Sequence, residues 1–526
     1  MGAAEKTGPM ASDPQEQIMV AESDIDGSSE SPKGLLANLD LQKIDKAAEF
    51  LANNGPYPPM TPEAEKRMMK KIDGWMIPFL MFFAILSAVD KVELSTASLY
   101  GFQADNGLKG QEYSWCGSIL SLGMITGTFP LTYLVHRLPT AKLMAVCSVI
   151  WSGCTLLMAV EARFGGIMAI RFFMGFFESI IQPGLMLIMG NFWKIREQPW
   201  RIAFILSCFS SVVNGFWSWV VGQIPDDAPL KRWQYLFLLT GSINLLYSIV
   251  LYFFLPDSPM NAFFLTKEEK WHAVQRLAEN KTGMENHKWK WDQAIESVVD
   301  PKFWLQFFFS IAINISNAAL ITFGPLIIKG LGYDSQTSAL LSMPTGVMST
   351  LAALIFSTLA GRWHNRRCLC VMMACVPPLI GTILAYVLPR SNMAGQMIGL
   401  YLMYMYWGPY STAQTLPMAN TAGHTKRAVT YGMLHVGYAV GNMIGPQTFR
   451  TSQAPRYTGG IISALTTFVV CAALMGIYWI VAAWQNKKKD QVHGKAVDVD
   501  TNEIEVLVTE YLDETDEQQP YFRYMT

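Results

Sequence analysis

Residues 73–98 read DGWMIPFLMFFAILSAVDKVELSTAS. From Trp75 to Val89 every residue except Ser87 is apolar or proline, and as a helix the whole stretch would rise about 39 Å, enough to cross a hydrocarbon core of about 30 Å. Its second half nevertheless carries Asp90, Lys91 and Glu93. A helix that takes such charges into a bilayer has to face them toward one another or toward a wet cavity, because each costs on the order of 2.5–3.5 kcal/mol there.

Eleven further apolar runs follow, at about 114–135, 143–161, 165–190, 201–222, 233–255, 303–328, 337–360, 368–388, 395–418, 429–449 and 459–484. The composition agrees: 51% of the 526 residues are hydrophobic and only 15% charged, against about 25% charged in soluble proteins. A polar stretch from Pro256 to Pro301 divides the runs into six and six. The chain therefore divides into a tail at 1–71, a six-helix bundle at 72–255, a central loop at 256–302, a second bundle at 303–486 and a tail at 487–526.

The net charge of −1 is a cancellation. Residues 1–65 hold 12 acids and 4 bases, residues 490–526 hold 10 acids and 2 bases, and the body between them has a surplus of 15 positive charges. Loops after the even-numbered runs hold 16 Lys and Arg and the opposite loops 8, which by the positive-inside rule puts both termini and the central loop in the cytoplasm. A multi-pass protein of the plasma membrane is expected. The first residues, MGAAEKTGPMASDPQEQ, lack the basic and apolar regions of a cleaved signal. Residues 35–52 have helical periodicity, fitting a surface helix on the membrane or a solvated one equally well. Asn280-Lys281-Thr282 matches the glycosylation pattern but falls in the cytoplasmic loop. The eight cysteines lack paired metal-site spacing and read as packing residues.

The halves echo each other. Pro183-Gly184 and Gly408-Pro409 are 225 residues apart, as are the loop residues Arg137 and Arg362. Such repetition marks transporters built from two related bundles.

Besides the charges of the first run, the fourth carries Arg171 and Glu178, two helical turns apart and so on one face. One reading is a salt-bridge network that locks the first bundle. The other is coupled binding, in which Asp90 or Glu178 exchanges a proton while Lys91 and Arg171 hold an anion. Polar residues available to line the same cavity are Asn214, Asn314, Asn317, Tyr404, Tyr406, Gln414, His435 and Asn442, although each alone is more often an interhelical hydrogen bond. The sequence has no GxxxxGK[ST], HExxH or GxSxG motif. An ATP-driven pump or a hydrolase is thereby disfavoured, and no metal or cofactor is expected beyond the proton gradient as driving force.

Five stretches carry a resemblance. They are AVDKVELSTASLYGFQADNGLKGQEYSW; FPLTYLVHRLPTAKLM; RFFMGFFESIIQPG with FWKIREQPWRIAF; LITFGPLIIKGLGYDSQTSALLSMP; and ANTAGHTKRAVT with GYAVGNMIGPQTFR. Over residues 66–489 the sequence resembles the major facilitator superfamily, and within it the fungal allantoate permease branch of the anion:cation symporters. The resemblance implies an all-α membrane protein of twelve transmembrane helices in two six-helix bundles, importing a small organic anion with protons by alternating access. It implies carboxylate and proton handling at Asp90, Lys91, Arg171 and Glu178, and gating loops around Arg137, Arg362 and Arg366. Two loops depart from the family pattern, His136 standing in one and Gly361 in the other where an Asp is usual. His435 replaces a usual aliphatic residue, which suggests a substrate not shared with the best-known members.

The expected protein is a monomer in the bilayer that handles a small molecule and binds no nucleic acid. An exporter of a secondary metabolite and a nutrient sensor without turnover are the alternatives.

Overall fold

The computed structural model describes residues 50–526 except 52–53, 162, 195–196, 198–200, 202–203, 206–209, 226, 279–289, 364, 455, 494–514 and 520–521. The periodic segment 35–52, apart from its last residues, and the Asn280 glycosylation pattern lie outside the described residues.

The described residues are helical with no strand. The first half comprises α1 (Pro62–Leu99), α2 (Glu112–Arg137), α3 (Thr140–Met158), α4 (Phe164–Glu178 continued by Ile181–Phe192), α5 (described over Ser210–Gly222) and α6 (Arg232–Phe254). The second comprises α7 (Pro301–Gly330), α8 (Ser335–Arg362), α9 (Arg367–Val387), α10 (Met393–Met403, Trp407–Ala413 and Thr415–Asn420), α11 (His424–Ile444) and α12 (Thr458–His493). Among the described residues nine helices are long and apolar enough to cross a membrane.

Local chemistry sets several boundaries. α1 begins eleven residues before the apolar run, where Thr61 caps the Ala64 amide, Pro62 takes the first turn and Glu63 and Glu65 favour the dipole. The interruptions of α4 and α10 follow from proline, which has no amide proton to give to the carbonyl four residues back. Pro183 leaves the Ser179 carbonyl without that bond, and the α-helical hydrogen-bond pattern lapses at Ser179-Ile180 while both residues keep right-handed helical backbone angles. Pro417 likewise frees the Ala413 carbonyl, which accepts a hydrogen bond from Gln306 Nε2 of α7 at 3.5 Å.

Across the molecule the packing is two-fold in pattern. α5 packs on α8, α2 packs on α11, and α1 packs on α7, so exchanging the halves exchanges the first two contacts and preserves the third. The face carrying the start of α1 and the end of α12 is termed the tail side. On the opposite side the two bundles share one apolar core, with Leu94, Tyr113 and Phe237 joined to Ala319, Phe323 and Phe449. Hydrogen bonds close it: Tyr113 Oη donates to Thr322 O at 3.0 Å, Ser118 Oγ to Met443 O at 2.7 Å, and both Lys329 Nζ and Ser335 Oγ to Leu99 O at 2.7 Å. Toward the tail side the cores are separate, one in each bundle. Ion pairs there lie within one bundle, such as Asp73–Arg201 and Glu65–Arg276 in the first and Glu296–Lys426 and Asp300–Lys302 in the second.

Candidate functional site

α1 turns two polar faces in two directions. Ser87 and Lys91 are four apart and share one face; Ser87 Oγ donates to Glu178 Oε1 at 2.6 Å, and Lys91 Nζ lies 3.0 Å from the same oxygen. Asp90 and Glu93 are three apart and share the next face. Asp90 Oδ2 accepts from Asn244 Nδ2 of α6 at 2.8 Å. Its other oxygen and both oxygens of Glu93 are buried with no hydrogen-bond partner among the described residues, and Thr240 stands beside Glu93 without completing a bond.

Arg171 and Glu178 belong to one piece of α4 but do not pair. Arg171 Nε donates to the carbonyl of Cys116 on α2 at 2.6 Å, and its Nη1 is buried with no hydrogen-bond partner among the described residues. The approach of α2 that offers this carbonyl depends on small residues. Cβ atoms added at Gly123 or Gly127 would strike the Phe172 and Phe176 carbonyls, and one at Gly175 would strike that of Leu120. Glu178, at the end of this piece where the helix lapses, turns to α1.

The second bundle holds an uncharged network. Asn317 Nδ2 donates to Asn314 Oδ1 at 3.2 Å and to Asn442 Oδ1 at 3.0 Å, while Tyr406 Oη donates to Asn317 Oδ1 at 2.5 Å. Tyr404 is a strut between helices, its hydroxyl on the Leu320 carbonyl at 2.7 Å. Gln414 sits where the last two pieces of α10 meet and is half-buried. Asn214 pairs with Thr96 within the first bundle at 3.3 Å. His435 lines a cavity of about 280 Å³ between α2 and α11, with Ile125, Phe129, Val429 and Val436 around it. Of the loop arginines, Arg137 stacks over the Tyr133 ring at 5.2 Å, and Arg362 and Arg366 are exposed on the tail side. Nothing is described of the His136 side chain.

The family model described as Major Facilitator Superfamily matches residues 79–446. The chain belongs to that superfamily. Among its similar relatives is the MFS-type transporter cnsL of Penicillium expansum, 36% identical over 464 residues that cover 88% of this chain and 89% of that protein. The allantoate permease of Saccharomyces cerevisiae is 29% identical over 511 residues, covering 94% and 92%. In fold the chain is similar to a bacterial homologue of the human lysosomal transporter Spinster in an inward-facing, occupied conformation, with TM-score 0.58, 12% identity and coverage of 78% and 97%. It is also similar to a D-xylose-proton symporter, with TM-score 0.57, 13% identity and coverage of 76% and 96%.

This major facilitator protein is thus a multi-pass membrane transporter of a small molecule and not an enzyme. Its intramembrane charges gather in one place between α1, α4 and α6. Two members of that cluster, Ser87 and Asn244, escape sequence reasoning, and a third, Glu93, is visible there without a role. Glu93 shows only as a third charge in the same run, and its face is shared with Asp90 by spacing alone. Ser87 and Asn244 are ordinary polar residues until α4 and α6 bring the acids to them.

Proposed function

We propose that the protein is a proton-coupled symporter importing a small organic anion, with Glu178 as the proton site and Lys91 as the anion site. The observation that carries this reading is the unequal exposure of one ion pair. The Lys91 side chain is 25% exposed and Glu178 only 2%.

While Glu178 is ionised it holds Lys91, and a substrate carboxylate has to compete for that ammonium. A proton on Glu178 removes the competitor and leaves a positive charge that an anion neutralises. Proton and anion thus each raise the other's affinity, by the same factor. Arg171 Nη1, buried with no hydrogen-bond partner among the described residues, is the second donor in the same bundle, and Asp90 is a second candidate for the proton. Closure of the bundles away from the tails, with separate cores on the tail side, corresponds to a state open toward the tails. The Lys and Arg distribution assigns that side to the cytoplasm, and a nutrient importer belongs in the plasma membrane.

Uptake into proteoliposomes tests the reading, with labelled allantoate and small carboxylates as probes. Glu178→Gln is expected to abolish the dependence of uptake on external pH while substrate exchange persists. Wild-type pH dependence in that variant would refute the role given to Glu178.

A further inference from the structure

Opposite Lys91 the second bundle presents a line of rings. Trp407 and Tyr410 of α10 lie 4.8 Å apart between centroids, Tyr410 is 6.3 Å from Tyr438 of α11, and Tyr438 is 5.9 Å from His435 with the ring planes only 12° apart. All four are half-buried, so they are not sealed into the core. Among the described residues His435 Nε2 has no hydrogen-bond partner, and none bonds the Tyr438 hydroxyl. Lys91 of α1 lies near enough to Tyr438 and His435 for its charge to act on each.

A row of rings whose last pair is near-parallel, beside a partly exposed ammonium, selects for shape and for charge at once. A flat ring offers the Tyr438–His435 pair a face to stack on, which an aliphatic group of equal size does not. A carboxylate one or two bonds from that ring meets the ammonium. Resting on the anion-binding role of Lys91, we propose that the substrate is an aromatic carboxylate, with its carboxylate on Lys91 and its ring on the Tyr438–His435 shelf.

Stacking of one ring on another favours an aromatic over an aliphatic group by roughly two- to ten-fold beyond the effect of buried area. The test compares phenylacetate with cyclohexylacetate, which has the same head group and a similar size but no π face, by calorimetric titration of the purified full chain. Phenylacetate is expected to bind the wild type about five-fold tighter. Tyr438→Phe should keep that ratio, because the ring survives. Tyr438→Leu and His435→Leu should each reduce it toward one while cyclohexylacetate affinity holds, and Lys91→Gln should weaken both ligands alike. Equal affinities in the wild type, or a ratio that survives both leucine variants, overturn the aromatic shelf alone. Failure of either carboxylate to bind the wild type overturns the shelf together with the anion site beneath it.

Discussion

Lys91 Nζ stands 3.0 Å from Glu178 Oε1, with the lysine side chain partly exposed and the glutamate buried, so the pair is built to be broken from one side. Removing one partner of a buried ion pair costs about 3–5 kcal/mol, because the other charge is left without compensation. Lys91→Gln is therefore expected to lower the melting temperature of the purified protein by several degrees. The double variant Lys91→Gln, Glu178→Gln should recover most of that loss. A double variant no more stable than the single one would mean that Glu178 does not depend on Lys91.

The stoichiometry implied by a single pair has an electrical consequence. One proton and one monovalent anion carry no net charge between them, so the membrane potential does no work on the transport cycle. Uptake of a monocarboxylate is expected to follow the pH gradient, worth about 1.36 kcal/mol per unit, and to be unaffected when the potential is clamped with valinomycin and potassium. Stimulation by an inside-negative potential would require a second proton, for which Asp90 is the available acid.

Glu93 presents the contrary case to Glu178. Its carboxyl oxygens are buried with no hydrogen-bond partner among the described residues, and holding a charge in that position costs free energy. Glutamine has the same shape without the charge. Glu93→Gln is expected to leave thermal stability unchanged or to raise it, whereas Glu178→Gln should lower it. A drop of more than about 2 °C for Glu93→Gln, on the order of 2 kcal/mol for a chain of this size, would show that Glu93 makes interactions in the folded protein that glutamine cannot replace.

Hydropathy carries the architecture, and it could do so because the bilayer imposes one length and one polarity on every spanning helix. The polar stretch after the sixth run added the halves, and the intramembrane charges pointed to the candidate site. Pairing was not legible. Arg171 and Glu178 share a face by spacing, yet they go to different partners because α2 comes close enough to offer Cys116 O and the helix lapses at Ser179. The polar residues of the second half read as equals, but Tyr404 serves a backbone carbonyl while Asn317 and Asn442 bond each other. The end of the chain misled most. Residues 515–526 belong to an acidic segment by composition, yet where described they fold back on the second bundle. Asp516 is buried against Lys426 at 2.8 Å, and Asn420 and Met525 exchange hydrogen bonds.

Close approach of α2 and α4 makes a direct prediction. A Cβ at Gly175 would collide with the Leu120 carbonyl, while one at Gly190 in the same α4 meets nothing within 4 Å. Gly175→Ala is expected to cost about 1–3 kcal/mol by forcing the helices apart, and the shift should loosen the Arg171–Cys116 contact. Gly190→Ala should be neutral or stabilising by up to about 1 kcal/mol. Equal melting temperatures for the two variants would refute the close packing.

Docking of residues 515–526 should respond to pH through Glu517. Glu517 is exposed on one side, but partial loss of solvent pushes its carboxyl above the usual glutamate range; Lys426 opposes that shift, and Glu296, Asp300 and Asp516 add to it. A raised value in the docked state means that docking is favoured by the protonated acid. The contribution is fully present below the ordinary glutamate value near 4.3 and is lost as pH rises through the docked value. Hydrogen exchange is therefore expected to show stronger protection of residues 515–526 just above pH 5 than at pH 8. Glu517→Gln should hold the segment docked across that window, with protection nearly independent of pH. Asp516→Asn, which breaks the ion pair with Lys426, should release the segment at every pH. If wild-type protection instead rises with pH, the desolvation of Glu517 is not what limits docking.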